Sequence, residues 1–141
     1  MNPNFAYGWS YSAYVQLYLG EYEIALEHFG KNERLDPSDP AKMYRLSGTG
    51  LSHFFLGNYK EAMRVTEKAV SEFPAFASGW RILAISAVMA GEIASANKAA
   101  SKALELDPSR TVSSLVPLLP LRRSSDLDRY REAFLRAGFP D

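Results

Sequence analysis

Two histidines, His28 and His53, are the only imidazoles in the chain, and cysteine is absent. A metal site draws on several His, Cys, Asp or Glu ligands at characteristic spacings, and neither histidine stands at such a spacing from another ligand. His53 falls on the packing face of a helical pattern and reads as a hydrogen-bonded core residue, whereas His28, beside Phe29, reads as partly exposed surface. Glu21, Glu23 and Glu27 would suit acid–base chemistry, but they flank a helix start, where carboxylates favour the helix dipole. Gly48-Thr49-Gly50 has neither the Gly-Lys-Ser nor the preceding strand that a phosphate loop needs. No serine stands in a nucleophile elbow. The chain therefore reads as non-enzymatic, with no catalytic residue, cofactor or metal assigned.

Arg122-Arg123 with Arg129, Arg131 and Arg136 form the only basic cluster, and Asp126, Asp128 and Glu132 interleave with it. That mixture describes a solvated helix face better than a nucleic-acid surface, although Arg122-Arg123 could meet a phosphate or an acidic protein. Sixteen Lys and Arg balance sixteen Asp and Glu, so no polyelectrolyte attraction to nucleic acid or to an acidic membrane is expected. The charge is uneven along the chain. Residues 1–40 hold two basic and six acidic side chains, and residues 109–141 hold six and four. The first twenty residues carry no charge, yet they lack the basic start of a signal peptide. The low-charge run Thr111–Leu121 is too short to span a membrane and contains Pro117 and Pro120. A cytoplasmic protein without membrane insertion is the expectation, and the lack of cysteine agrees with it.

The elements that would position any site repeat. Pro3, Pro37, Pro74 and Pro108 are spaced by 34, 37 and 34 residues, and Leu19-Gly20, Leu56-Gly57 and Ala90-Gly91 keep the same cadence. Such a period signals stacked helical units, none of which can bury its apolar face alone. Function is then to be sought in a surface rather than a catalytic cleft.

Each unit parses as two helices joined at glycine and ended at proline, because glycine suits a left-handed turn and proline cannot continue a helix. The expected helices are 7–19 and 21–35, then about 40–56 and 59–72, then 78–90 and 92–106. The helix from Pro40 is expected to be one turn longer than its equivalents, with Asp39 as N-cap and Pro40 in the first helical position. Trp80, Leu83, Ala84 and Ala87 share one face of their helix. In residues 109–141 the prolines interrupt a short start at 111–116, and a terminal helix over about 126–137 ends at Gly138. Its stripe of Leu127, Tyr130, Phe134 and Ala137 suggests a cap over the end of the array.

These residues resemble the tetratricopeptide repeat family. Unit three matches at Trp80, Leu83-Ala84, Gly91, Ala96, Ala103 and Pro108; unit one at Trp9, Ala13, Gly20, Tyr22, Ala25, Phe29 and Pro37; unit two at Gly50, Gly57, Tyr59, Ala62, Ala69 and Pro74. The resemblance implies an all-α, right-handed superhelical array of three helix pairs, at about 6–39, 40–76 and 77–108, followed by a C-terminal cap. Ala25, Ala62 and Ala96 would allow helices to cross closely while the tryptophans fill wider gaps. Asn32 departs from the usual alanine, and Gln16 and His53 from a buried tyrosine. Asn2-Pro3-Asn4 resembles the tail of a preceding repeat, so the natural chain is expected to continue upstream. The run Asp126-Leu127-Asp128-Arg129-Tyr130, with Phe134-Leu135-Arg136-Ala137-Gly138-Phe139-Pro140, is similar to the endings of arrays attached to bacterial class III adenylate cyclase domains; related arrays also lie behind winged-helix regulators.

In that family the first helices line a concave face. The resemblance thus implies a partner-binding groove of Tyr7, Ser10, Tyr14 and Tyr18 in unit one, Tyr44, Ser47, Leu51 and Phe54 in unit two, and Arg81 and Ile85 in unit three. Such a groove suits an apolar or weakly acidic peptide. Ser10 and Tyr14 stand where chaperone-binding members place Lys and Asn to clamp a terminal carboxylate, which disfavours that ligand class. The stripe is either open or covered by the terminal segment, by an upstream repeat or by a second copy. The resulting expectation is a protein-interaction or oligomerisation module whose partner is a protein, a peptide or a second copy in a homo-oligomer. The alternative is a sensory domain that binds a peptide or small ligand and controls an attached cyclase or transcription regulator.

Overall fold

The computed structural model describes residues 3–141, with side chains from residue 8 onward, and every regular element among them is helical. Six helices form three pairs: α1 (Pro3–Tyr18) with α2 (Tyr22–Leu35), α3 (Lys42–Phe55) with α4 (Tyr59–Glu72), and α5 (Ala77–Met89) with α6 (Ile93–Leu106). A short α7 (Val112–Leu115), a 3-10 turn (Val116–Leu118) and α8 (Ser124–Ala137) complete the chain. Stacking is regular: α2 packs on α3, α4 packs on α5, and the first helices α1, α3 and α5 meet along the inner face. This is the helical repeat array that the period requires. No helix among the described residues is long and apolar enough to cross a membrane.

The turn within each pair is built the same way three times. Gly20, Gly57 and Gly91 adopt φ of +84°, +81° and +84°, a conformation that glycine takes without a Cβ clash. Their amides donate to Leu17, Phe54 and Val88, and the next amides donate to Gln16, His53 and Ala87, which closes the first helix with identical hydrogen bonding. Ala25, Ala62 and Ala96 are fully buried, as close helix crossings demand.

Three sequence expectations need correction. The helix of unit two begins at Lys42 and is not lengthened: the Asp39 carboxylate accepts the Ala41 amide at 2.9 Å and folds residues 38–41 into a turn, so the extra residues are spent before the helix. The tryptophans are half-buried rather than central. Trp80 donates its Nε1 proton to the Pro74 carbonyl at 2.8 Å, while Trp9 meets His28 edge-on and lies 4.2 Å beneath the Lys31 ammonium. His53 is half-buried, and its Nδ1 has no hydrogen-bond partner among the described residues; burial lowers its pKa. The terminal helix α8 packs chiefly on α5 and α6 of the last pair, and its side chains reach along the inner face to units two and one.

Asn32, the departure from alanine, has a physical reason. Its side-chain oxygen accepts from Arg45 Nη1 at 3.1 Å, and the same guanidinium reaches the carbonyls of Asp36 at 3.3 Å and Pro37 at 3.5 Å. Arg45 is only 6% exposed, so these oxygens replace the water it has lost and tie unit one to unit two. The glycines of α3 admit close approach. A Cβ on Gly48 would lie 2.2 Å from Phe29 Cζ, and one on Gly50 would lie 2.6 Å from Thr66 Cγ2.

Candidate functional site

The inner face begins as an aromatic and aliphatic stripe, and the terminal segment decides how much of it remains accessible. The chain turns back after α6 through α7, whose start is closed by a reciprocal capping box between Thr111 and Ser114. Pro117 and Pro120 then prevent a full fourth helix, and the chain crosses to unit one, where the Arg122 amide donates to the Tyr18 carbonyl at 2.9 Å. The Arg123 side chain lies over Gly20, where a Cβ would meet its Nε at 2.6 Å.

From that anchor α8 runs past all three helix turns. Asp126 accepts a hydrogen bond from the Tyr22 hydroxyl in unit one, Arg129 Nη2 donates to the Phe55 carbonyl at 2.6 Å in unit two, and Arg136 Nη1 approaches Met89 Sδ at 3.4 Å in unit three. A helix rises about 1.5 Å per residue, so the ten residues from Asp126 to Arg136 cover roughly 15 Å along this path. Tyr130 packs against Phe54 and Phe55, Phe134 against Tyr130 and Phe139. Gly138, at φ +103°, ends the helix, and the final turn is held where the Val112 amide donates to the Pro140 carbonyl at 2.7 Å.

The anticipated groove residues consequently fall into three groups. Phe54 and Ile85 are fully buried, Phe54 beneath Tyr130, and are not presented to solvent. Ser10, Tyr14, Tyr18 and Tyr44 wall an open groove of about 610 Å³, completed by Tyr11, Val15, Asp39 and Ala41. Tyr14, Tyr44, Ser47, Leu51 and Arg81 wall a second, more enclosed pocket of about 210 Å³, together with Phe76, Ser78, Ile82 and Tyr130 and with Leu115, Leu118 and Leu119 of the returning segment. The side chain of Tyr7 lies outside the described residues. Tyr14 and Tyr44 belong to both spaces, and the Tyr14 hydroxyl donates to the Tyr44 carbonyl, which holds that shared wall in place.

Burial, aided by the neighbouring phenols of Tyr18 and Tyr44, raises the Tyr14 pKa far above its ordinary range, so the group stays neutral and can donate. Burial likewise pushes Tyr130 up to about 12, against the opposing field of Arg81. Arg81 is depressed from its usual value by desolvation, against the opposing field of Asp107; its Nη2 donates to Ser78 Oγ at 2.8 Å. The five arginines of the tail do not form one patch. Arg129 is engaged by Asp126 at 2.9 Å and by Phe55, and Arg131 reaches Asp141 at 3.4 Å, leaving Arg122 and Arg123 exposed at the entry to α8.

The sequence pattern did not reveal that Leu115, Leu118, Leu119 and Tyr130 would line a pocket with unit-two and unit-three residues. The only local signal is a leucine-rich run broken by two prolines, which is too irregular for one more repeat and too apolar for a free linker.

No protein-family profile matches this chain, and no characterised protein matches it in sequence. Solved structures do match in shape. The first TPR domain of human RPAP3 superposes with a TM-score of 0.71 at 15% identity, covering 96% of this chain and 97% of that one. A double mutant of MamA from strain RS-1 gives 0.68 at 23% identity over 95% of this chain and 74% of that one, and MamA residues 41 to the end from Desulfovibrio magneticus RS-1 gives 0.66 at 24% over 96% and 73%. At these identities the likeness establishes the tetratricopeptide-type fold.

Proposed function

We propose that this chain is a protein-interaction module that receives an apolar or aromatic peptide segment in the open groove between α1 and the start of α3. The observation that carries this reading is the exposure of large apolar side chains beside a concave wall: Tyr11 is 67% and Tyr44 52% exposed, and Val15 stands between them on the groove. Asp39 is the only charged residue in its lining, so the site favours apolar contact and disfavours an acidic segment. Tyrosine supports binding because it offers broad contact area with few rotamers to freeze.

The test is a peptide-array screen with the whole chain, followed by calorimetric titration of the best ligand against Tyr11→Ser, Tyr44→Ser and Val15→Glu. Each variant is expected to weaken binding by tenfold or more while circular dichroism and the unfolding midpoint stay close to wild type. A ligand held equally well by the folded variants would remove the groove from consideration. A dimer lost on Val15→Glu in sedimentation would identify a second copy as the occupant.

A second reading is regulation of an attached output domain, such as a cyclase or transcription regulator. The resemblance of Asp126–Pro140 to the endings of such arrays supports it, as does the reach of that same segment from the last pair to Phe55 and Tyr22.

A further inference from the structure

The enclosed pocket beneath the returning segment combines features that neither helix packing nor peptide docking explains. Arg81 carries a half-buried guanidinium whose Nη2 donates to the Ser78 hydroxyl, with the Asp107 carboxylate acting on it from beyond ion-pair distance. Desolvation of a cation that has no ion-pair contact among the described residues is costly, and an anion in the pocket would offset it. Ser47 is 4% exposed, lines the same pocket, and its hydroxyl has no hydrogen-bond partner among the described residues. Buried hydroxyls are ordinarily satisfied, so an orphan beside a cavity points to a missing acceptor or donor. The amino end of α5 opens there too: Phe76 and Ser78 are lining residues, and no side chain caps the helix. A free helix start presents amide protons and the positive end of the dipole.

We propose that this pocket binds a small apolar acid, with its one carboxylate received by Arg81, Ser47 and the start of α5, and its body held against Phe76, Tyr130 and Leu115. The volume of about 210 Å³ holds about seven waters at ~30 Å³ each and lies below the range of drug-sized sites, which restricts the ligand to a compact molecule. A single charged residue in a lining of aromatic, aliphatic and hydroxyl side chains matches one negative charge on an apolar body. The site does not depend on either reading of the open groove, because its distinguishing residues, Ser47, Arg81, Tyr130 and Leu115, are absent from that groove.

Phenylacetate is a suitable probe and phenylacetamide its neutral counterpart of nearly the same shape. Titration of the whole chain, followed by amide chemical shifts, is expected to show the acid binding at least tenfold more tightly than the amide, with the largest shifts at Ser47, Arg81 and Tyr130. Arg81→Gln should abolish the preference for the acid while leaving amide binding within about twofold. Ser47→Ala should weaken the acid by roughly threefold to tenfold. If Arg81→Gln fails to fold, Arg81→Lys keeps the charge on a different reach and should reduce the preference without removing it. Equal binding of acid and amide to wild type, shifts confined to Tyr11 and Val15, or no saturation by either probe at concentrations up to about 10 mM would each overturn the proposal.

Discussion

The Tyr22 hydroxyl donates to Asp126 Oδ2 at 2.5 Å, joining two residues 104 positions apart in sequence. Both side chains are buried, and Arg129 Nη2 lies 2.9 Å from the other carboxylate oxygen. The contact fastens the terminal helix to the first repeat and thereby turns a linear array into a closed arrangement. Nearest-neighbour stacking alone would leave unit one and the chain end independent of one another.

Tyr22→Phe is expected to destabilise the fold by about 1–3 kcal/mol, because it removes a bond to a charged acceptor that water cannot readily replace. The ring contact with Phe55, stacked at 5.0 Å, is retained. Urea unfolding should show a lower midpoint with an unchanged slope. A midpoint equal to wild type would mean that the Asp126 contact contributes nothing to holding α8.

Stability should fall on the alkaline side. Tyr14, Tyr22 and Tyr130 all have folded-state pKa values raised above the ordinary 10, chiefly by burial, and Tyr22 additionally by Asp126. Raised values mean that the folded chain keeps protons which the unfolded chain releases, so the stabilisation is complete below about pH 10 and declines as pH rises beyond it. Each such phenol adds a slope of about 1.4 kcal/mol per pH unit until its folded value is reached, near 12 for Tyr130. Urea midpoints between pH 9 and about 11.5 should therefore drop steeply in wild type and less steeply in Tyr22→Phe. Parallel curves for the two proteins would contradict the burial of that phenol.

Two helical glycines should respond to alanine in opposite senses. Gly48→Ala drives a methyl into the Phe29 ring and should cost about 1–3 kcal/mol, as over-packed cores do. Gly8→Ala meets nothing within 4 Å and should add about 0.5–1 kcal/mol by restricting the unfolded chain. Thermal melts of the two variants check both signs at once.

The 34- and 37-residue spacings, the three glycine turns and the buried alanines are legible in the amino-acid sequence, since they arise from short-range rules: a left-handed turn admits glycine, a helix stops at proline, and crossing helices need small side chains. The resemblance to the repeat family implies a concave placement for Tyr14, Tyr44, Ser47 and Arg81; the structure shows Tyr14 and Tyr44 lining two spaces and Ser47 and Arg81 lining one of them. Asn32 stands out as irregular in the repeat pattern, whereas its partner Arg45 does not, because nothing local marks an arginine as buried.

The amino-acid sequence by itself thus determined the repeating helix pairs and the existence of a terminal helix with one apolar stripe. Which surface that stripe would cover was settled only in three dimensions. Leu127, Tyr130, Phe134 and Ala137 specify that α8 must pack, but an apolar stripe is not directional, and it would satisfy itself equally on the array's end or along its inner face. The choice rests on contacts between residues far apart in the chain: Tyr22 with Asp126, Tyr18 with Arg122, Phe55 with Arg129. Those contacts set Tyr130 against Phe54, leave the aromatic groove at α1 open, and place Tyr130 in the wall of the pocket at Arg81, because hydrogen-bond geometry selects one docking among several that hydrophobic burial alone permits.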